Sequence, residues 1–146
     1  QSDMHRCGPQ KPDSKYFVYT GNTTYGIQNL EYDADLNAMI AAVYPGKKEC
    51  FPNYPMFFVD CSKKPNIENL KGINNEGEVI QITDFGSGIC NGNICGSTFP
   101  HGSTGIASLG NGYFYIAENY KNEKGYGGII NMYKFNRENL TFELVN

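Results

Sequence analysis

Residues 33–44 read Asp-Ala-Asp-Leu-Asn-Ala-Met-Ile-Ala-Ala-Val-Tyr. Leu36, Met39, Ile40 and Val43 fall at i, i+3, i+4 and i+7, the spacing that puts four apolar side chains on one helix face. Asp33 is suited to cap the first turn, and Pro45-Gly46 cannot continue a helix. The spacing therefore predicts a helix over 33–44, the strongest helical pattern in the chain. Elsewhere the sequence points to strands. Tyr16-Phe17-Val18-Tyr19 is aromatic and β-branched. Thr20 to Thr24 turns the chain, and Tyr25 to Leu30 is expected to return as the second arm of a hairpin. After the helix come strand candidates at Met56–Asp60, Glu78–Thr83, Gly112–Ala117, Gly128–Tyr133 and Thr141–Val145. The expected fold class is α+β: an N-terminal hairpin, one helix, and a twisted antiparallel sheet.

The expected organisation is a flexible segment over 1–15 and one domain over 16–146. Within it, Asp84 to Gly110 is rich in Gly, Ser and Asn and reads as a long loop. Loops longer than about 15 residues are uncommon in compact domains and are usually functional or inserted. The length of 146 residues suits one domain with a sizeable core. The chain has 17 Gly, 11 Tyr, 9 Phe and no Trp, with only 18% charged residues, a balance that favours strands and turns. Its formal charge of −3 supplies no basic field for nucleic acid. No apolar run reaches the ~18 residues that span a bilayer as a helix, so no membrane partner is expected.

Cysteines at 7, 50, 61, 90 and 95, with Asn-x-Thr sequons at Asn22 and Asn139, fit the secretory pathway. The chain starts at Gln1 with neither an initiator Met nor an apolar signal core, as a processed form would. An odd count leaves at least one thiol free or paired with another chain. Cys90 and Cys95 flank Asn-Gly-Asn-Ile and are placed to close a small loop, and the remaining pairing stays open. No close Cys/His pair of zinc-binding spacing is present, and neither metal nor cofactor is expected.

Four short motifs, in this order, resemble the fungal guanyl-specific ribonucleases and the related ribotoxins. Tyr54-Pro55-Met56 sits where that family has Tyr-Pro-His. Glu78-Val79-Ile80-Gln81-Ile82 resembles its glutamate strand, and Gly112 to Ile116 the strand that begins with an arginine. Gly128-Ile129-Ile130-Asn131-Met132 resembles a segment that ends in histidine. The resemblance implies a hairpin, a single helix and a twisted sheet, with Met56, Glu78, Tyr113 and Met132 at the former catalytic positions. Of these only Glu78 can exchange a proton. Each missing acid, base or cation typically costs about 10²–10⁴ in rate, so the resemblance implies a pseudoenzyme. It is most similar to the ribonuclease-like secreted effectors of plant-pathogenic fungi, which implies a host plant protein or an immune receptor as partner. Those effectors often staple an N-terminal to a C-terminal Cys; here Cys7 has no C-terminal counterpart.

Binding is expected on loops carried by a rigid scaffold. Tyr120, Lys121, Glu123, Lys124 and Tyr126 combine aromatics with charge, a composition suited to an interface, and His101 lies in the long loop. Each has a blander reading. His101 is more simply a turn histidine, and Glu78 a polar residue on an alternating strand. The Tyr113–Tyr115 stripe is more simply a core-facing row. Lys47-Lys48 and Lys63-Lys64 are more simply solvated than bound to RNA, although weak RNA binding is kept as an expectation. The expected function is a secreted, non-catalytic fungal effector, with delivery into the host cell as an extension. The alternatives are an active ribonuclease using Glu78 and His101, and a secreted carbohydrate-binding β-rich domain.

Overall fold

The computed structural model describes residues 12–70, 72–82 and 89–146. Twelve strands follow in order: β1 Tyr16–Phe17, β2 Thr23–Asp33, β3 Ala38–Pro45, β4 Met56–Asp60, β5 Asn66–Asn69, β6 Glu76–Val79, β7 Cys90–Asn91, β8 Ile94–Cys95, β9 Ile106–Gly110, β10 Tyr113–Asn122, β11 Gly125–Asn136 and β12 Thr141–Leu144. Among the described residues there is no helix. The α+β expectation is therefore corrected to all-β, and the fold implied by the ribonuclease resemblance is not the one observed.

The error lies in residues 33–44. Asp33 ends β2, residues 34–37 turn, and β3 begins at Ala38. Asp33 does cap: its Oδ1 accepts the Leu36 N–H at 2.8 Å. What it closes is a hairpin loop, completed by Asn37 at φ 47°, in the left-handed region that Asn tolerates. The apolar positions that mimic a helix stripe belong to a nearly unbroken apolar run. Ala38, Ile40, Ala41, Ala42 and Val43 are all buried. A strand covered on both faces has no reason to alternate, so its sequence is not distinguished from a buried helix by periodicity.

The expected N-terminal hairpin is corrected too. β1 pairs in parallel with β6, Tyr16 opposite Glu78, while β2 pairs with β3. The strands expected at 56–60, 112–117, 128–133 and 141–145 are present, two of them much longer than expected. The described part of the long loop contains β7, β8 and β9. Across β7 and β8 the Cys90–Cys95 disulfide is formed, with Cys90 opposite Cys95 in register. Cys50 and Cys61 are free and exposed. His5 and Cys7 lie outside the described residues.

The sheets form layers. β2-β3-β4 is an antiparallel meander, and β12-β11-β10-β9 is a second one. Between them lie Ile40, Ala42, Met56 and Phe58 from the first, and Phe114, Ile116, Tyr133, Phe135 and Phe142 from the second. Phe99 enters this core from the chain before β9, with its ring 4.9 Å from Phe142 and 5.3 Å from Tyr133. On the other side of β3 and β4, Ala41, Val43 and Phe57 pack with Ile94, Tyr19, Phe51 and Tyr54. β3 and β4 are thus covered on both faces, while β2, at the edge, stays largely exposed. The β9–β12 sheet is covered on one.

The seam between the two meanders is polar. Asn29, Glu31 and Asp33, alternate residues of β2, reach the same neighbouring chain. Asn29 Nδ2 donates to the Ser103 carbonyl at 2.6 Å, and Glu31 Oε1 accepts the Ser108 N–H at 2.7 Å. Asp33 Oδ2 accepts the Ser108 hydroxyl at 2.6 Å.

Candidate functional site

The long hairpin of β10 and β11 sorts its side chains by the pleat. Its register pairs Tyr113 with Lys134, Tyr115 with Met132, Ala117 with Ile130, Asn119 with Gly128 and Lys121 with Tyr126. These five pairs share one face, because side chains alternate along a strand and cross-strand partners point the same way. The other face carries Phe114, Ile116, Tyr133 and Phe135 into the core. The first set forms the outer face of the β9–β12 sheet. It is open and largely apolar: Tyr115 is 48% exposed, Ile130 70% and Tyr126 84%.

At the broad end of this face, Leu109, Tyr113, Met132 and Val145 line a shallow depression of about 390 Å³. Val145 is held there by its N–H, which donates to the Met132 carbonyl at 2.9 Å. Lysines stand at both ends. Lys134 Nζ lies 4.0 Å from the centre of the Tyr113 ring, and Lys121 Nζ lies 5.1 Å from that of Tyr126. Each contact stabilises by about 0.5–1 kcal/mol at an exposed site and holds its ring in place. Lys134 also donates to the Asn111 carbonyl.

The inner face continues past the core as a polar cluster around Glu118. Its Oε1 accepts from the Tyr133 hydroxyl and from Asn131 Nδ2, the latter at 2.6 Å. Its Oε2 lies 3.6 Å from His101 Nε2. The His101 ring stands edge-on to Phe99, with centroids 5.4 Å apart. Tyr120 lies next along the strand, with its ring against Gly127, where an added Cβ would sit 2.5 Å from the ring. The hydrogen bonds from Tyr133 and Asn131 hold the Glu118 carboxyl below its ordinary value of 4.5, against the opposing effect of burial. A carboxylate held low is a poor general base, so Glu118 serves as an acceptor. Burial, with the Glu118 bond and charge, pushes the Tyr133 hydroxyl up to about 12.

These shifts set the pH response. A lowered carboxyl stabilises the fold above pH 4.5, and that contribution is lost as pH falls through its folded value. A raised phenol stabilises fully below pH 10, and the contribution is lost as pH rises toward 12. Urea unfolding of Glu118→Gln should lack part of the acid loss, and Tyr133→Phe part of the alkaline loss. Matching pH profiles for wild type and both variants would contradict the cluster.

The positions implied by the ribonuclease resemblance are not gathered. Met56 is fully buried in the main core. Glu78 is exposed on β6, in the separate β1-β6-β5 sheet. Tyr113 and Met132 share the outer face of β9–β12. His101 stands beside Glu118, on a different sheet from Glu78. Lys47-Lys48 precede β4 and Lys63-Lys64 follow it. The expected binding cluster is split by the pleat. Lys121 and Tyr126 join the outer face, and Tyr120 lies on the inner face, the next position on that face after Glu118. Glu123 and Lys124 make the tip, where the Lys124 N–H donates to Asn122 Oδ1 at 2.9 Å. Sequence reasoning missed Leu109, Tyr115, Ile130 and Val145 as a surface. The signal was the alternation Tyr113-Phe114-Tyr115-Ile116, in which Phe and Ile, not Tyr, face the core.

Comparison of the chain with protein-family models, with curated proteins and with solved structures finds no match. Among the described residues no helix is long and apolar enough to cross a membrane. No group of three His, Cys, Asp or Glu among them is placed to hold a metal ion.

Proposed function

We propose that this chain is a non-catalytic binding domain whose outer β9–β12 face takes a protein partner. One observation carries the reading. This sheet is apolar on both faces, yet only one is covered, whereas β3 and β4 of the neighbouring sheet are covered on both. Contiguous exposed apolar surface rimmed by charge marks protein interaction sites. Tyrosine and methionine, prominent here, are enriched in such interfaces. The bonded Cys90–Cys95 pair is compatible with secretion, which belongs to the proposal. A fungal effector engaging a host plant protein or immune receptor remains the reading attached to the sequence resemblance; the fold adds no support to it.

The test is capture from plant tissue extract on immobilised chain. Wild type is compared with an outer-face variant, Tyr115→Ser with Ile130→Ser, and an inner-face variant, His101→Ala with Tyr120→Ala. A protein held in stoichiometric amount by wild type and the inner-face variant, and lost from the outer-face variant, is the expected result. Capture lost from the inner-face variant alone would move the site to the Glu118 cluster. Aromatic and hydroxyl-accepting groups there suit a carbohydrate better.

A further inference from the structure

We infer that the outer face of β9–β12 packs against the same face of a second copy of this chain, as a two-fold symmetric dimer. The inference rests on the reading of that face as a protein-binding surface, and names what covers it in the isolated protein.

The register of β10 against β11 makes the face self-complementary. In a face-to-face pair whose two-fold axis runs along the hairpin between β10 and β11, each residue meets its own cross-strand partner from the other copy. Ile130, the most prominent side chain at the middle of the face, would then stand over the small Ala117 of the second copy, and the reverse. Tyr115 would meet Met132. At one end Tyr113 would meet Lys134, and at the other Tyr126 would meet Lys121, so cation and ring face each other across the interface as they already do within the chain. Across β10 and β11 every level pairs large with small, apolar with apolar, or cation with ring; beyond them Glu143 of β12, beside Lys134, would meet the end of β9 in the second copy. No lysine meets a lysine. The other in-plane axis, across the hairpin at the Ala117–Ile130 level, would set Ile130 against Ile130 and Ala117 against Ala117. Of these two axes, only the first is self-complementary.

The area is sufficient for a modest association. Ten paired positions at about 3.3 Å each, two to four strands wide at about 4.8 Å, give a flat footprint of roughly 450 Å² per copy. Side-chain relief brings the total for both copies to about the 1,000–1,200 Å² at which specific interfaces begin. Dissociation in the range of about 1–100 µM is expected.

Sedimentation equilibrium on the full chain, from about 1 to 300 µM, spans that range. Wild type should pass from monomer to dimer. Ile130→Lys, which sets a cation over Ala117 of the second copy, should stay monomeric throughout. Ile130 is 70% exposed, so the monomer fold should be untouched, and far-UV circular dichroism checks that. Tyr115→Ser should weaken dimerisation at least ~10-fold, about 1.4 kcal/mol. His101→Ala, on the opposite face, should leave it unchanged. A wild type that stays monomeric, or a dimer that survives Ile130→Lys, overturns the inference. A monomeric chain whose captured partner still depends on Tyr115 and Ile130 overturns only the second copy. Capture indifferent to both residues overturns the proposed function itself.

Discussion

Phe58→Ala should lower the free energy of unfolding by about 3–5 kcal/mol, the usual cost of emptying a buried phenylalanine site. Phe58 is fully buried in β4, opposite Ile40 in register, with its ring centroid 5.4 Å from that of Phe135 on the facing sheet. It therefore bridges the two meanders. Neither neighbour can collapse into the space, because both sit on strands fixed by their own ladders. Small domains are stable by only about 5–15 kcal/mol in total, so the variant should be marginal at physiological temperature. Urea titration followed by circular dichroism reads the loss. A cost below about 1 kcal/mol would mean that the ring is not buried between sheets. Tyr25→Ala, at a ring 75% exposed, is the control and should stay within about 0.5 kcal/mol.

Asp33→Ala should cost about 2–4 kcal/mol, by a different mechanism. The carboxylate is fully buried, and both oxygens are engaged, one by the Leu36 N–H and one by the Ser108 hydroxyl. Hydrogen bonds to a charged group contribute about 1.5–3 kcal/mol each, and removing the acceptor leaves two part-buried donors without it. Asp33→Asn keeps an acceptor for one of them and should cost about half as much. Ser108→Ala should cost less than Asp33→Ala, since the turn bond to Leu36 survives. Equal stability of Asp33→Ala and wild type would contradict the polar seam.

What the sequence revealed, and what it concealed, follows from these same residues. The strand at β10 was legible, though its length was underestimated, but its facing was reversed: the Tyr113–Tyr115 row expected toward the core faces out, and Phe114 and Ile116 face in. Met56–Asp60 was placed at its observed bounds because Pro55 and the following turn punctuate it. Residues 38–43 were not legible, because coverage on both faces removes alternation and leaves a run that imitates a helix stripe. Asp33 deepened the error. Its side chain makes the same bond to a backbone N–H three residues on in a hairpin loop as at a helix start. The Asn29–Glu31–Asp33 seam left only a faint trace, polar residues at alternate positions whose partners lie more than 70 positions away. The candidate surface was half legible. Aromatics and lysines at 120–126 were singled out, but their division between two faces depends on the pairing of β10 with β11.

Hydroxyl-radical footprinting reports which face of the β9–β12 sheet is covered. Labelling of Tyr113, Tyr115, Ile130 and Met132 should fall in the captured complex or at high chain concentration. Tyr25 and Tyr32, exposed on β2, should label as before. Unchanged labelling of the four outer-face residues, together with protection of Tyr120 and His101, would contradict the outer-face reading and place binding on the opposite face of the same hairpin.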